Sequence, residues 1–300
     1  MKKIREILKY SAFGTLGVIV LLIIWSFIEP RLLNIDTEIV QIPNLPTAWE
    51  GQQIGQISDF QIGLWGDNRA TARRSIEKLL EIKPAVVLIS GDFLYHPGAN
   101  LQPELEAVVD IVRPLVEAGI STYAVFGNHD YGMSSKSAPP KIQEAERLEV
   151  ALETAGIKVL QNESVQLLLS EGGEPLYLVG VGSSWANRDN VQKALRGIPT
   201  NSPRITMMHN PDSFEKFPSN SAPLGVAGHT HGGQIRVPYS PQWSWLRFTQ
   251  PGKVYTDGWI KDYGELGNQL YVNRGIGMSI APIRLFCQPT LTLFTLEKQN

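Results

Sequence analysis

Short apolar runs alternate with longer polar-and-apolar segments from residue 50 onwards. The run AVVLIS at residues 85–90 is apolar almost throughout, which is typical of a strand buried on both faces of a sheet. Residues 69–83 are predicted as a helix that Pro84 ends, and residues 103–118 as a second helix closed by Gly119. This alternation of strands and helices predicts an α/β fold.

The remaining predicted elements continue this pattern to the C-terminus. A third helix is expected at residues 141–155. Further strands are predicted at residues 52–58, 120–126, 157–160, 164–169, 176–181, 204–208, 224–227, 270–273 and 290–296.

The N-terminus carries a different pattern, because residues 10–28 contain no charged residue and Lys or Arg occupies positions 2, 3, 5 and 9. Its length is close to the roughly 20 residues that cross a bilayer. It predicts a single uncleaved anchor in the cell membrane, with the basic flank in the cytoplasm and residues 31–300 outside it. The alternatives are a cleaved signal peptide and a segment lying on the inner membrane face, although no A-x-A-like cleavage site precedes Glu29.

These patterns divide the chain into a basic flank with an anchor (residues 1–30), a linker with a first strand (31–50) and a domain (51–300). Three hundred residues, 43% of them hydrophobic, are enough for one large domain. The formal net charge of −2 and the lack of a long basic run after residue 9 argue against nucleic acid as a partner. Cys287 is the only cysteine, which excludes an intrachain disulfide and a cysteine-based zinc site.

Five predicted strands each end in side chains of the kind that bind metal ions. Asp or Asn after a strand is ordinary turn chemistry when it occurs once. In open α/β sheets, however, ligands bind at the carboxyl ends of strands, so five such endings indicate a shared site. The residues are Asp59, Asp92, Asn128 with His129, His209, and His229 with His231.

The last pair lies in GHTHGGQ (residues 228–234), where two histidines are one residue apart between glycines. A solvated glycine-rich turn is one interpretation. Metal binding is the other, since neutral imidazole is the commonest metal ligand and glycine lets the backbone approach closely.

Taken together, DFQ (59–61), GDF (91–93), GNHD (127–130), His209 and GHTH (228–231) resemble the calcineurin-like metallophosphoesterases. GHTHGGQIRVP and YVNRGIG…PIRLFCQP are most similar to the bacterial membrane-associated branch of that family. The resemblance implies two facing mixed β-sheets flanked by helices, with two metal ions at one edge of the sandwich.

The resemblance also assigns roles to residues. Asp92 is expected to bridge the two ions, while His129 contacts the phosphate and protonates the leaving group, with Asp130 as an acid beside it. The expected ligands are Asp59, Asp92 and His231 for the first ion and Asp92, Asn128, His209 and His229 for the second.

Gln61 is the one departure, since the family usually has histidine there. Its amide oxygen is a neutral and harder donor than imidazole, which should weaken the first site for zinc relative to manganese or magnesium. The expected cofactors are therefore two divalent ions (manganese, iron or zinc), with manganese favoured. The alternative is that Gln61 contacts the substrate or a metal-bound water.

The implied activity is hydrolysis of a phosphodiester or pyrophosphate bond by a hydroxide that two metal ions activate. The predicted anchor, residues 10–28, suggests the bilayer as a partner and a lipid or lipid-linked phosphate ester as the substrate. A non-catalytic metal-bound scaffold of the same fold and a phosphodiesterase for soluble substrates are the alternatives.

An aromatic cluster follows the GHTH motif, within residues 239–260. Trp243, Trp245, Leu246 and Phe248 form either a hydrophobic minicore or a lip against the membrane or an acyl chain, since tryptophan favours the membrane interface. Trp65 is expected to frame the same entrance. Tyr95 and His96 are expected to line the cleft, with His96 as a polar loop residue.

Overall fold

The computed structural model describes residues 2–98, 100–249 and 255–299. Its helices are α1 (Lys2–Ile28), α2 (Arg69–Ile82), α3 (Leu101–Glu117), α4 (Ile142–Thr154), α5 (Val191–Ala194) and α6 (Leu246–Thr249). Its strands are β1 (Asn34–Ile42), β2 (Gln53–Ile57), β3 (Val86–Ile89), β4 (Ser121–Ala124), β5 (Lys158–Val159), β6 (Glu163–Leu167), β7 (Leu176–Gly180), β8 (Arg204–Met207), β9 (Gly225–Ala227), β10 (Arg236–Val237), β11 (Ser240–Ser244), β12 (Gly258–Ile260), β13 (Leu270–Val272) and β14 (Thr290–Lys298).

Two six-stranded mixed sheets form the centre of the molecule. The first has the order β1-β14-β2-β3-β4-β5, and the second has the order β12-β13-β9-β8-β7-β6. Strands β2 to β5 run parallel to one another, as do β7, β8, β9 and β13. Antiparallel pairs occur where β14 meets β2 and at both edges of the second sheet. The predicted architecture of two mixed sheets with flanking helices is confirmed.

The two sheets face each other across one apolar layer. Ile54 and Leu88 from the first sheet pack in the same buried cluster as Leu178, Met207 and Val226 from the second. Strand β3 is buried at all four residues, which explains why its sequence is an uninterrupted apolar run.

The opposite face of the first sheet is covered by α2, α3 and α4. In α3 the buried side chains recur at helical spacing, with Leu105, Val108, Val112 and Leu115 on one side of the helix. All three helices begin and end within two residues of their predicted bounds. Helix α3 begins at Leu101, so Pro103 is its third residue and not its first as the sequence suggested.

The first strand is part of this sandwich. Strand β1 pairs in parallel with the C-terminal strand β14 over nine residues, from Asn34 beside Thr290 to Ile42 beside Lys298. Before it, α1 is exposed along almost its whole length, and Ser26 is its one buried residue among those described. It is long and apolar enough to cross a membrane.

Candidate metal centre

The ligand-type side chains predicted from the strand ends gather at one edge of the sandwich. Strands β2, β3 and β4 lead into Asp59, Asp92 and Asn128, and strands β8 and β9 lead into the three histidines 209, 229 and 231. Because parallel strands that are neighbours in a sheet end at the same edge, side chains far apart in the chain become neighbours here. Asp59, Asp92 and His209 are essentially inaccessible to solvent.

Two groups of donor atoms share the Asp92 carboxylate. Asp92 forms one group with His209 and His229, and another with Asp59 and His231, with the donor atoms of each group within 4.8 Å of one another. The Nε2 atom of His209 is 3.2 Å from Asp92 Oδ2, and Nε2 of His231 is 3.4 Å from Asp59 Oδ1. The arrangement can accommodate two cations with one carboxylate between them.

Two glycines of the motifs leave room for these close approaches. A Cβ on Gly127 would lie 2.0 Å from Asp92 Oδ1, and a Cβ on Gly228 would lie 2.6 Å from Asp59 Oδ2. Real Cβ atoms do not come so close to an oxygen, so any side chain at either position would displace a carboxylate.

Three of the histidines are oriented in the same way by backbone carbonyls. The Nδ1 atoms of His129, His209 and His231 bond to carbonyl oxygens. The carbonyls belong to Tyr95 (2.5 Å), Ser90 (2.8 Å) and Gly277 (3.2 Å), respectively. A carbonyl can only accept, so each Nδ1 carries the hydrogen and Nε2 is left to bind another group.

Burial favours neutral imidazoles at His229 and His231. At His209 burial also acts to lower the pKa, but the charge of Asp92 raises it to about 9, so this imidazole is charged beside a charged carboxylate. Burial lowers the pKa of His229 well below its ordinary value and that of His231 to about 3. Burial acts to raise the pKa of Asp92, but the positive charge of His209, and then of His129, holds it well below its usual range. Burial and the neighbouring Asp92 raise the pKa of Asp59 to about 7.

Gln61 lies inside the cluster. Its Nε2 donates to Asp92 Oδ2 at 2.8 Å and is 3.4 Å from Nε2 of His231, while its Oε1 is buried without a partner among the described residues. A half-turn of the amide would exchange the two atoms and direct the oxygen at the same two ligands. Gln61 therefore lies beside two of the candidate ligands, and its oxygen has no other partner in the described part of the chain.

The remaining predicted residues divide into two kinds. Asn128 donates from Nδ2 to Met133 O at 2.8 Å and lines the cavity beside the cluster, as does His129. Asp130 does not line that cavity: its buried carboxylate accepts hydrogen bonds from three backbone amides. These belong to Asp92 (2.9 Å), Leu94 (3.1 Å) and Gly127 (2.8 Å).

The cavity beside the cluster has a volume of about 210 Å³ and a mixed lining. Its polar lining includes His129, His229 and His231, together with Tyr95 and His96. Its large apolar lining residues are Trp185, Ile235, Trp245, Leu246 and Ile280, with Ala281 next to them. The sequence did not point to Trp185, whose ring is 4.7 Å from that of His229, or to the segment 279–281, because neither belongs to a metal-binding motif.

The described side chains of the aromatic cluster after the GHTH motif are not buried in a minicore. Trp243 and Trp245 are each about half exposed, and Trp245 and Leu246 line the cavity. The side chain of Phe248, and residues 250–254 with it, lie outside the part that the structure describes.

Comparison with known proteins identifies relatives for most of the chain. Residues 53–233 match the model of the calcineurin-like phosphoesterase family. The metallophosphoesterase YkuE of Bacillus subtilis is 27% identical over 91% of this chain and 89% of its own length. The phosphodiesterase YaeI of Escherichia coli is 32% identical over 72% of both chains. The UDP-2,3-diacylglucosamine pyrophosphatase LpxG of Chlamydia trachomatis is 23% identical over 89% of this chain and 90% of its own.

Proposed function

This chain belongs to the calcineurin-like phosphoesterase family, and from that membership we propose that it hydrolyses a phosphodiester or pyrophosphate bond of a lipid or lipid-linked substrate with two bound divalent cations. The observation that carries the proposal is the Asp92 carboxylate, which belongs to both groups of donor atoms. A shared negative charge offsets the repulsion between two cations that lie close together.

The residues fit such ions. Neutral His229 and His231 have lone pairs to offer, and Nε2 of His209 is buried 3.2 Å from Oδ2 of the shared Asp92 carboxylate. Asp59, Gln61, Asp92 and His231 would hold one ion, and Asp92, Asn128, His209 and His229 the other. Mixed oxygen and imidazole ligation suits manganese, iron or zinc, and the amide of Gln61 favours manganese.

Bound cations would supply Lewis acidity toward the phosphoryl oxygens and lower the pKa of an attacking water. The chain's own groups do the rest. Because Nδ1 of His129 donates to Tyr95 O, a proton on its Nε2 is the one that it can give to the leaving oxygen. Asp130 acts through Asp92, since it fixes the backbone amides around that residue.

Three features support a lipid substrate. Helix α1 is suited to a membrane, the cavity is lined by large apolar side chains as well as by the histidines, and the relative LpxG is named for a pyrophosphatase activity on a diacylated sugar nucleotide. An acyl chain can lie against the apolar side chains while the phosphate lies over the histidines.

The full chain in detergent micelles, titrated with manganese, tests the reaction on bis(p-nitrophenyl) phosphate. We expect hydrolysis that a chelator abolishes and manganese restores. Asp92→Asn should lose metal content and activity by orders of magnitude while it stays folded. Asp110→Asn on the exposed face of α3 is the matched control and should behave as the wild type.

Hydrolysis that survives chelation would refute the metal mechanism, and no hydrolysis with any metal would favour the non-catalytic scaffold. A panel of phospholipids and lipid-linked pyrophosphates in mixed micelles then tests the substrate class. Turnover of soluble diesters with no turnover of any lipid would favour the phosphodiesterase for soluble substrates.

A further inference from the structure

The end of helix α1 is attached directly to the segment that borders the cavity. Pro30 has no N–H, so the carbonyl of Ser26 lacks its usual partner in the helix, and the backbone N–H of Arg284 donates to it at 2.9 Å. The Glu29 carboxylate, only 2% exposed, accepts from the amides of Phe286 at 2.8 Å and Cys287 at 2.5 Å. These bonds leave the domain no flexible linker on which to swing away from the helix.

The same segment reaches the cavity. Residues 279–281 line it, and Ile280 is four residues from Arg284. Four residues span at most about 14 Å of extended chain, so the cavity's edge lies within roughly 20 Å of the last turn of α1.

Large exposed apolar side chains surround this edge. Trp65 is 75% exposed, Ile280 63%, Trp243 51% and Trp245 43%, and we refer to these four as the collar. Trp65 Nε1 donates to Ile280 O at 3.4 Å, and Ile280 and Trp245 both line the cavity, so these three belong to one region. Trp243 is two residues before Trp245 in the chain. Arg247 places a positive charge next to the collar, with its guanidinium 4.8 Å from the centre of the Trp243 ring.

We propose that the collar rests in the headgroup layer of the same bilayer that α1 crosses, so that the cavity opens onto the lipid surface. Tryptophan is enriched at that depth because its ring is apolar while its N–H is polar, and a nearby arginine can pair with lipid phosphate. The fixed attachment of α1 holds the collar beside the membrane at every moment. The proposal depends on α1 being inserted and not on the reaction, so it can fail or hold separately from the proposed function.

The test measures how deeply single collar positions enter the lipid. An environment-sensitive fluorophore is attached to full-length protein carrying Trp65→Cys, Trp243→Cys or Ile280→Cys, reconstituted in vesicles of phosphatidylethanolamine and phosphatidylglycerol. The native thiol, Cys287, is buried and so is protected from the label. Leu266→Cys and Val150→Cys are the controls, since both side chains are large, apolar and exposed but lie away from the collar.

Lipids that carry a nitroxide near the headgroup should quench the collar labels several-fold more than the control labels. Iodide, which stays in the water, should quench the control labels more than the collar labels. Equal quenching at collar and control positions would overturn the proposal. Quenching by lipid that disappears when vesicles hold one chain each would also overturn it, because a second copy would then be what covers the collar. Three independent collar positions prevent one poorly folded variant from deciding the result.

Discussion

His129 and Asp130 are neighbours in the chain but serve different parts of the site. The ring of His129 stacks on that of Tyr95 at 5.3 Å and faces the cavity, whereas Asp130 is buried beneath it among backbone amides. Of the two, His129 lines the cavity and Asp130 does not, so we infer that His129 transfers the proton and that Asp130 is a positioning residue.

Replacement of His129 should therefore affect chemistry more than metal binding. We expect His129→Ala to retain both metal ions and to lose on the order of 10²–10⁴ in rate, the usual contribution of general acid–base catalysis. The defect should shrink for esters with good leaving groups, which need no proton. Rates on a series of aryl diesters, with metal content measured alongside, check this. A defect of the same size across the series would contradict proton donation.

Gln61 permits a prediction about metal affinity, since it occupies the centre of the cluster with an amide where the family usually has imidazole. Gln61→His should lower the manganese concentration needed for half-maximal rate, because imidazole is the better donor to a borderline metal. Gln102→His, an exposed change on α3, is the matched control. If the manganese titration is unchanged and only KM moves, Gln61 contacts substrate and not metal.

Arg284 shows what single-residue patterns do not reveal. It is fully buried, and its guanidinium donates to the carbonyls of Gly275 at 3.1 Å and His231 at 3.3 Å. The gathering of the candidate ligands at one edge was predictable, because each follows a buried strand and its side chain suits a metal. A buried arginine that orders a loop has no such pattern, since its partners are backbone atoms that only the folded chain brings together.

Among the elements, helices α2 to α4 and strands β2 to β9, β13 and β14 were predicted to within two residues, because burial itself produces the apolar runs. The pairing of β1 with β14 was not predictable, since it joins the two ends of the domain and depends on no local signal. The contacts of segment 279–287 were not predictable either, although the overlapping motif PIRLFCQP resembles the membrane-associated branch. The segment has no regular structure, yet it contacts both the end of α1 and the cavity.

The junction of α1 with this segment should contribute to stability. Glu29→Ala leaves the buried amide of Cys287 and the part-buried amide of Phe286 without an acceptor. A buried unsatisfied group costs about 1–3 kcal/mol, and a part-buried one costs less because water can reach it. At roughly 2–4 °C per kcal/mol for a domain of this size class, the unfolding temperature in micelles should fall by several degrees. Glu29→Gln keeps an acceptor oxygen, so the unfolding temperature of this variant should fall less. Glu50→Ala, at an exposed position, should leave the unfolding temperature unchanged. If Glu29→Ala also leaves it unchanged, the junction is not closed in solution.

At the scale of the whole molecule, the orientation of the anchor decides which lipids the site can reach. Four basic residues precede α1's uncharged stretch, whereas Arg31 is the only one among the twenty residues that follow it. Basic residues stay in the cytoplasm, so we expect the domain to face the opposite side.

Reporter fusions to Asn300 in a bacterial host test this orientation. Alkaline phosphatase, which folds only outside the cytoplasm, should be active there, and β-galactosidase should be inactive. Replacement of Lys2, Lys3, Arg5 and Lys9 by asparagine should reduce the difference, because it removes the charge asymmetry that sets the orientation.

An external domain cannot meet nucleotide-activated lipid precursors, which are made on the cytoplasmic side, so its substrates would be phospholipids or other exported lipid phosphates. The reverse reporter pattern would place the cavity on the cytoplasmic leaflet and make nucleotide-linked lipid pyrophosphates the first substrates to assay.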